Sequence, residues 1–211
     1  MKTIKEFNSK KNYVSLVKID QKFMILKRFK KRMKFKKELM VYQELSNYEN
    51  LTPKLYSFDL ENMELYLEYI KGDTLLSILE SAEKDENLSD AVNIMIDLIK
   101  WLNKFHGCKI SNIKNPVVYD LNFNNFIIYK NKIFGLDFED VREGKSFNDY
   151  IRLLSMYLMY NPMKSDFKKR VLDHLLVYLS TKFNISKSQI LSLISLEEAN
   201  IIDRRAKYNK I

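Results

Sequence analysis

The sequence is poor in the residues that mark several classes of protein. Its 211 residues include one cysteine, Cys108, with four glycines and three prolines. A single cysteine excludes an internal disulfide and a cysteine-ligated metal site, and it favours a protein of the reducing cytoplasm. No stretch without a charged residue reaches a dozen residues, whereas a membrane-spanning helix needs about 20 apolar ones. We therefore expect no transmembrane segment, and the opening MKTIKEFNSKK lacks the apolar core of a signal peptide.

Apolar residues, by contrast, are plentiful enough for a packed core. They make up 46% of the chain, with thirteen tyrosines and thirteen phenylalanines. This composition is typical of a folded protein and argues against disorder. The length predicts one compact domain, or two small lobes that share a cleft.

Positive charge is concentrated in the first quarter of the chain. Residues 1–54 carry a net charge of +10, and the remainder carries −1. Residues 27–37 alone hold eight positive charges in eleven positions. Such a run is able to attract nucleic acid, anionic lipid or an acidic protein, and it is equally typical of a solvated helix face. An anionic macromolecular partner is therefore one of two interpretations of this run.

The most informative stretch is residues 117–141, VVYDLNFNNFIIYKNKIFGLDFEDV. It contains two short apolar segments, Phe126–Tyr129 and residues 132–136. The polar pair Lys130-Asn131 separates them. This pattern predicts a β-hairpin with a two-residue turn.

Folding this hairpin brings acidic and amide side chains from its two ends together. Asn125 directly precedes the first strand, and Asp137 directly follows the second. Their oxygens suit Mg²⁺, which takes one or two protein oxygens and completes its shell with water and phosphate. Asp120, five residues before Asn125, is left free to handle a proton. Because turns are also rich in Asp and Asn, this spacing by itself is equally compatible with an ordinary turn.

A second unit is predicted near the N-terminus. Tyr13–Ile19 and residues 22–29 alternate as a pair of strands, and residues 34–45 have the apolar spacing of an amphipathic helix. Lys27 lies in the second of these strands. Glu38 lies on the helix, eleven residues further along.

Together these residues resemble the protein-kinase-like superfamily. In that superfamily a catalytic Asp is followed five residues later by a metal-binding Asn, and then by a DFG Asp. Asp120, Asn125 and Asp137-Phe138-Glu139 match those positions. The resemblance implies that Lys27 holds the phosphates of ATP and that Glu38 pairs with Lys27.

Two further matches follow the family order. Residues 68–72 resemble the hinge between two kinase lobes, which implies that backbone groups at Glu68 and Ile70 hold adenine. Asp149 stands where relatives carry an Asp that accepts hydrogen bonds from the backbone of the catalytic loop. The resemblance covers about residues 10–160.

The resemblance implies an α+β fold with two lobes. Residues 1–70 would form an N-lobe, a small antiparallel sheet with one helix, and residues 71–211 a mainly helical C-lobe. It also implies ATP and Mg²⁺ as cofactors and transfer of the γ-phosphoryl group to a hydroxyl acceptor. Asp120 would then orient that hydroxyl and accept its proton.

Several departures point away from eukaryotic-type protein kinases. No glycine lies in residues 12–22, where we expect the hairpin that faces the phosphates. Val118-Tyr119 replaces the usual His before the catalytic Asp, and Glu139 replaces the DFG glycine. Only eleven residues separate Asp137 from the helix predicted at Asp149. These points favour the aminoglycoside/choline phosphotransferase branch, or minimal atypical kinases such as RIO-, Bud32- and lipopolysaccharide-core-kinase-like proteins.

Two other classes of function are compatible with the sequence. One is a catalytically weak pseudokinase or nucleotide-binding scaffold, against which the complete set of site residues argues. The other is a nucleic-acid-associated protein that uses the basic N-lobe, although no known binding module is present. The acceptor itself is left open among a small molecule, a glycan and a protein Ser/Thr. The short C-lobe and the basic N-lobe favour an acceptor that is anionic and large, or one held partly by a partner.

Overall fold

The computed structural model describes residues 1–9 and 11–208. Residue 10 and residues 209–211, which end the predicted C-lobe, lie outside the described residues. The chain folds into two lobes, an antiparallel sheet with one helix followed by a mainly helical part. This arrangement confirms the predicted α+β fold class.

The N-lobe is built on a five-stranded antiparallel sheet. Its elements are β1 (Lys2–Phe7), β2 (Tyr13–Ile19), β3 (Lys22–Arg28), α1 (Arg32–Leu45), β4 (Leu55–Asp59) and β5 (Glu64–Glu68). The strand order is β1-β2-β3-β5-β4. Strand β1 was not predicted, because all six of its side chains are exposed and it joins the sheet only as an edge strand beside β2.

The C-lobe packs five helices around two small sheets. Its helices are α2 (Leu75–Lys84), α3 (Leu88–His106), α4 (Ser146–Leu158), α5 (Asp166–Phe183) and α6 (Lys187–Tyr208). The strands are β6 (Asp73–Thr74), β7 (Pro116–Val117), β8 (Phe126–Tyr129), β9 (Lys132–Gly135) and β10 (Arg142–Glu143). They pair as β6-β8-β9 and β10-β7. Across the described residues, no helix combines the length and apolar character needed to cross a bilayer.

Two hairpins close through two-residue turns with left-handed backbone. Asp20 and Gln21 join β2 to β3 with φ of 43° and 67°, and Lys130 and Asn131 join β8 to β9 with φ of 49° and 58°. Positive φ at both central residues defines the type I′ turn, whose twist matches that of the paired strands. The second turn confirms the predicted hairpin and sets its register, in which Phe126 lies opposite Gly135.

Gly135 brings the β8–β9 hairpin close against α3. A Cβ at this position would lie 2.7 Å from Cζ2 of Trp101, so a larger residue would force the hairpin away from the helix. Both residues also donate hydrogen bonds to the carbonyl oxygen of Leu51, Gly135 from its backbone at 2.9 Å and Trp101 from Nε1 at 3.2 Å. This contact fixes the end of β9, which leads directly into the predicted metal-binding segment.

Candidate active site

The predicted lysine, glutamate and DFG-type aspartate meet in the cleft. Nζ of Lys27, on β3, lies 2.8 Å from both carboxylate oxygens of Glu38, on α1. The same Nζ lies 3.1 Å from Oδ1 of Asp137, which follows β9 in the other lobe. Lys27 and Glu38 are buried, whereas Asp137 keeps part of its surface in the cleft. One ammonium group therefore connects the two lobes.

The ammonium of Lys27 offsets the charges of two neighbouring carboxylates. Burial alone would lower the pKa of Lys27, but the carboxylates of Glu38 and Asp137 raise it above its ordinary value. Burial also raises the pKa of Glu38, while the nearby ammonium opposes that rise. Because Nζ contacts both oxygens of Glu38, we treat the pair as ionised. A buried pair of this kind requires its partner, since removing one member leaves an uncompensated charge.

Aromatic packing holds the segment that carries Asp137. The ring of Phe138 packs edge-on against Tyr42 of α1, with centroids 5.3 Å apart, and stacks on Phe105 of α3 at 6.0 Å. The Tyr42 hydroxyl donates to the carbonyl oxygen of Leu136 at 2.8 Å. The ring of Phe138 is held between α1 of the N-lobe and α3 of the C-lobe. The side chain of the preceding residue, Asp137, then points to Lys27.

Asn125 lies on the opposite side of the same hairpin. It ends a short 3-10 helix, Phe123–Asn125, immediately before β8. The backbone N–H of Leu136 donates to the carbonyl oxygen of Asn125 at 2.9 Å. The hairpin therefore places Asn125 beside the residue that precedes Asp137, as the sequence predicted.

An acidic cluster surrounds the predicted metal site. Carboxylate oxygens of Glu38, Asp137 and Glu139 lie within 4.8 Å of one another. Each of these carboxylates has a partner within the protein: Glu38 and Asp137 contact Lys27, and Glu139 contacts Lys11 and Asn12. Hard oxygen donors of this kind fit Mg²⁺, and a bound ion would take the place of some of these contacts. In the sequence, Glu139 stands out only as a departure from the DFG motif.

Asp120 is presented by a strained turn. Its backbone N–H donates to the carbonyl oxygen of Val118 at 2.9 Å. The residue between them, Tyr119, has φ of 67°. This combination is a γ-turn of the rare positive-φ kind, in which a residue with a Cβ is strained. Strain of this sort persists only where the surrounding structure maintains it, and it is found preferentially at functional sites.

Two arginines hold Tyr119 in this turn. The guanidinium carbon of Arg142 lies 3.1 Å from the centroid of the Tyr119 ring, and that of Arg152 lies 4.3 Å from it. Cation–π contacts such as these are each worth about 0.5–2 kcal/mol. Together they are large enough to offset a strained backbone.

Asp149 supports the same loop from the C-lobe. It is fully buried near the start of α4. Its Oδ2 accepts a hydrogen bond from the backbone N–H of Val118 at 2.8 Å and lies 2.9 Å from Nε2 of His106. Its Oδ1 accepts from the N–H of Tyr119 at 3.4 Å and from Arg152 at 3.3 Å. The predicted supporting aspartate therefore contacts the backbone just before Asp120.

The surroundings of Asp120 make its carboxylate more basic. Burial raises the pKa of Asp120 above its ordinary value, and the charges of Asp137 and Asp140 act in the same direction. Lys11 opposes this effect, because its Nζ lies 3.8 Å from Oδ2 of Asp120. A carboxylate with a raised pKa is better suited to accept a proton.

Lys11, which lies between β1 and β2, contacts the catalytic loop from the N-lobe. It also contacts Glu139 at 3.0 Å and Asp140 at 3.2 Å. These contacts were not predicted, since the partners are more than a hundred residues apart and no local pattern connects them.

The hinge residues lie where β5 leaves the N-lobe. The N–H of Glu68 donates to the carbonyl oxygen of Lys54 at 2.8 Å, and the N–H of Lys54 donates to the Glu68 carboxylate at 3.2 Å. Ile70 is buried. Both hinge side chains line an open groove of about 770 Å³, together with the end of α1 and the β8–β9 turn. The candidate phosphate and metal ligands are not among the lining residues, so this groove is separate from the catalytic end of the cleft.

Part of the basic run is used within the fold. Lys27 is the buried partner of Glu38, and Arg28 contacts Glu64 through Nε at 2.7 Å. Lys34 forms an ion pair with Asp140 in the other lobe. These three charges are therefore matched by acids of the same chain, although the Arg28 side chain is 51% exposed.

Solved structures of an aminoglycoside phosphotransferase have a similar fold. Among solved structures, the chain is similar to the aminoglycoside phosphotransferase APH(2")-IIa in its gentamicin complex, with a TM-score of 0.58, 16% identity, and coverage of 82% of this chain and 75% of that one. The streptomycin–ATP ternary complex of APH(2")-IIa gives a TM-score of 0.57 at 17% identity and covers 93% of this chain and 90% of that one. At these identities the likeness establishes the fold.

The chain also has a distant relative in sequence. It is a probable bifunctional tRNA threonylcarbamoyladenosine biosynthesis protein from Methanobrevibacter smithii, 24% identical over 159 residues. The match covers 75% of this chain and 26% of the relative, so the chain spans about a quarter of that protein's length. No family model matches the chain.

Proposed function

We propose that this chain is an ATP-dependent phosphotransferase that moves the γ-phosphoryl group of ATP to a hydroxyl acceptor. The observation that carries the proposal is the contact of one buried ammonium, Lys27, with Glu38 of its own lobe and Asp137 of the other. Burying charged groups is costly, so such an arrangement facing a cleft is a strong candidate for a functional site. The fold supports the same activity.

Nucleotide binding is assigned to the two sides of the cleft. Lys27, oriented by Glu38, would contact the α- and β-phosphates, and backbone groups at Glu68 and Ile70 would bind adenine. Asn125 and Asp137 would hold Mg²⁺, which neutralises charge on the phosphate oxygens when it is bound. In this proposal residues 1–70 supply most of the phosphate binding, and residues 71–211 supply the catalytic and metal-binding loops.

The chemical step is assigned to Asp120. Its carboxylate would hold the acceptor hydroxyl in line with the γ-phosphorus and take the hydroxyl proton as the new oxygen–phosphorus bond forms. The protein contributes mainly orientation and electrostatic stabilisation to such a reaction. Asp149 contributes indirectly, by holding the backbone from which Asp120 projects.

The basic surface of the N-lobe is a proposed docking site only where its charges are unmatched. Lys30, Lys31 and Lys36 are exposed, whereas Lys34 belongs to the contact between the lobes. An anionic acceptor or partner that used this lobe would therefore contact Lys30, Lys31 and Lys36. Charge reversal at Lys34 would instead disturb the cleft itself.

Nucleotide binding should stabilise the protein only when a divalent cation is present. A ligand that binds the native state at a hundredfold excess over its Kd adds about 2.7 kcal/mol to the free energy of unfolding. For a chain of this size we expect the melting temperature to rise by roughly 5–10 °C with ATP and Mg²⁺. Thermal denaturation with ATP, with Mg²⁺ and with both together provides the measurement.

The matched variant in this assay is Asp137→Asn, which should lose most of the metal-dependent stabilisation. If no nucleoside triphosphate shifts the melting temperature of the wild-type protein with Mg²⁺ or Mn²⁺, the phosphotransferase proposal fails.

The rate of transfer should decline on acidification at a higher pH than an ordinary aspartate would impose. Asp120 must be ionised to take a proton, and burial raises its pKa. Activity is therefore present above this pKa and is lost as the pH falls through it. The measurement is kcat against pH, with circular dichroism over the same range as the control for unfolding. An acidic limb at or below about pH 3.9, the value for an unperturbed aspartate, would contradict the assignment.

A further inference from the structure

The connection between β1 and β2 contains no glycine, and its residues Lys11 and Asn12 contact acids of the C-lobe. Residues 8–12 read Asn-Ser-Lys-Lys-Asn. Glycine-rich turns bind phosphate because, with no Cβ, their backbone N–H groups come close to its oxygens. A turn without glycine lacks this means of close backbone approach. A side chain from the turn is then the group able to reach a phosphate.

Lys11 is the side chain of this turn that reaches the catalytic loop. Its Nζ lies 3.8 Å from Oδ2 of Asp120, 3.0 Å from Oε1 of Glu139 and 3.2 Å from Oδ2 of Asp140. Three acids of the C-lobe thus converge on one cation of the N-lobe. Because Asp120 is the proposed acceptor of the hydroxyl proton, this cation lies next to the position at which the γ-phosphoryl group would react.

Asn12, and not Lys11, anchors the turn. The side chain of Asn12 is buried, and its Nδ2 donates to Oε2 of Glu139 at 3.0 Å. The backbone N–H of Asn12 donates to the Ser9 hydroxyl at 3.3 Å. The side chain of Lys11, by contrast, is 52% exposed. With the turn held by its neighbour, the lysine is free to exchange a carboxylate for a phosphate oxygen.

We propose that Lys11 is a catalytic residue that contacts the γ-phosphoryl group during transfer, a role that rests on the phosphotransferase function proposed above. In this step the acceptor oxygen bonds to the γ-phosphorus as the bond from that phosphorus to the β–γ bridging oxygen breaks. The electron pair leaves with ADP, and the hydroxyl proton passes to Asp120. Lys11 forms no covalent bond. Its ammonium stabilises negative charge on the oxygens of the group in transit.

Lys34 offers a matched control for this role. It too extends from the N-lobe to the C-lobe, where it contacts Asp140 and donates to the carbonyl oxygen of Glu139 at 3.3 Å. Within the described part of the chain, its ion-pair partner is Asp140 and not Asp120. A residue that serves only to hold the lobes together should therefore resemble Lys34 in its effects, and a phosphate-binding residue should differ from it.

The test compares nucleotides with and without a γ-phosphate. Calorimetric titration with Mg·ADP and with a non-hydrolysable Mg·ATP analogue would be applied to the wild type, Lys11→Met, Lys11→Arg and Lys34→Met. We expect Lys11→Met to raise the Kd for the ATP analogue by roughly tenfold or more, as for loss of a hydrogen bond to a charged group. The Kd for ADP should be unchanged. Lys11→Arg should still bind the analogue more tightly than ADP. Lys34→Met should change the Kd values for both nucleotides by the same factor, or change neither.

Each other outcome overturns a specific statement. If Lys11→Met binds the two nucleotides with the same ratio as the wild type, Lys11 does not contact the γ-phosphate. Tighter binding of both nucleotides by Lys11→Met would make Lys11 an obstruction of the cleft and would equally refute the proposal. If the wild type binds neither nucleotide, the phosphotransferase function itself fails, and the role of Lys11 fails with it.

Discussion

Asp120→Asn should nearly abolish phosphoryl transfer while nucleotide binding stays close to that of the wild type. The amide keeps the size of the carboxylate and loses its ability to take a proton, and general-base catalysis contributes about 10²–10⁴ to a rate. We therefore expect kcat to fall by roughly that factor. Asp120 is separate from the Lys27–Asp137 contact proposed to bind phosphates and metal, so the Kd for Mg·ATP should change little. Turnover of labelled ATP and calorimetric titration measure the two quantities.

Asp140→Asn is the control for this substitution. Asp140, like Asp120, contacts Lys11 and is partly exposed, but it also forms an ion pair with Lys34. Its loss changes the local charge to the same extent without removing the proposed base. Equal losses of kcat in the two variants would show that the effect comes from charge near Lys11. Turnover near the wild-type level in Asp120→Asn would show that Asp120 lies in an ordinary turn and has no catalytic role.

Asp149→Asn should cause the largest loss of stability among these single substitutions. The buried carboxylate accepts hydrogen bonds from two backbone N–H groups and contacts His106 and Arg152. An amide has one acceptor oxygen, and its NH₂ group would face donors. Loss of a buried charged partner costs about 3 kcal/mol or more. For a chain of this size that corresponds to a fall in melting temperature of roughly 6–12 °C.

Asp97→Asn provides the comparison. Asp97 is a helical aspartate whose partner, Lys100, lies 2.7 Å away on the exposed side of α3. Exposed pairs of this kind contribute about 0–1 kcal/mol. Urea denaturation of both variants gives the free energies of unfolding. If the two losses are similar, Asp149 does not support the catalytic loop as the geometry indicates.

The parts of the site that could be predicted depend on local patterns. The strand Phe126–Tyr129 has the predicted bounds, because its apolar run and the polar pair behind it are a local signal for a hairpin. Lys27 and Glu38 were found because the strand and helix around them have clear periods. Their eleven-residue separation then matched the family.

The parts that could not be predicted depend on exposed backbone pairing and on distant partners. Strand β1 pairs only along one edge and exposes all its side chains, so it leaves no alternation in the sequence. Because β1 was missed, the contact between Lys11 and the catalytic loop was not predicted either. The contact between Lys11 and Asp140 spans 129 positions. The pairing of Lys34 was not predicted for the same reason, since its acid partner Asp140 lies 106 positions away.

The γ-turn at Tyr119 connects the stability of the protein to the position of Asp120. Glycine adopts a positive φ without the steric cost that a Cβ brings, so Tyr119→Gly would relax this backbone. The same change would remove the ring on which Arg142 and Arg152 stack, and the loop before Asp120 would gain freedom. Tyr119→Gly should therefore change the free energy of unfolding little, since the relief of strain is offset by the loss of both stacking contacts, and it should slow transfer by loosening the loop that carries Asp120.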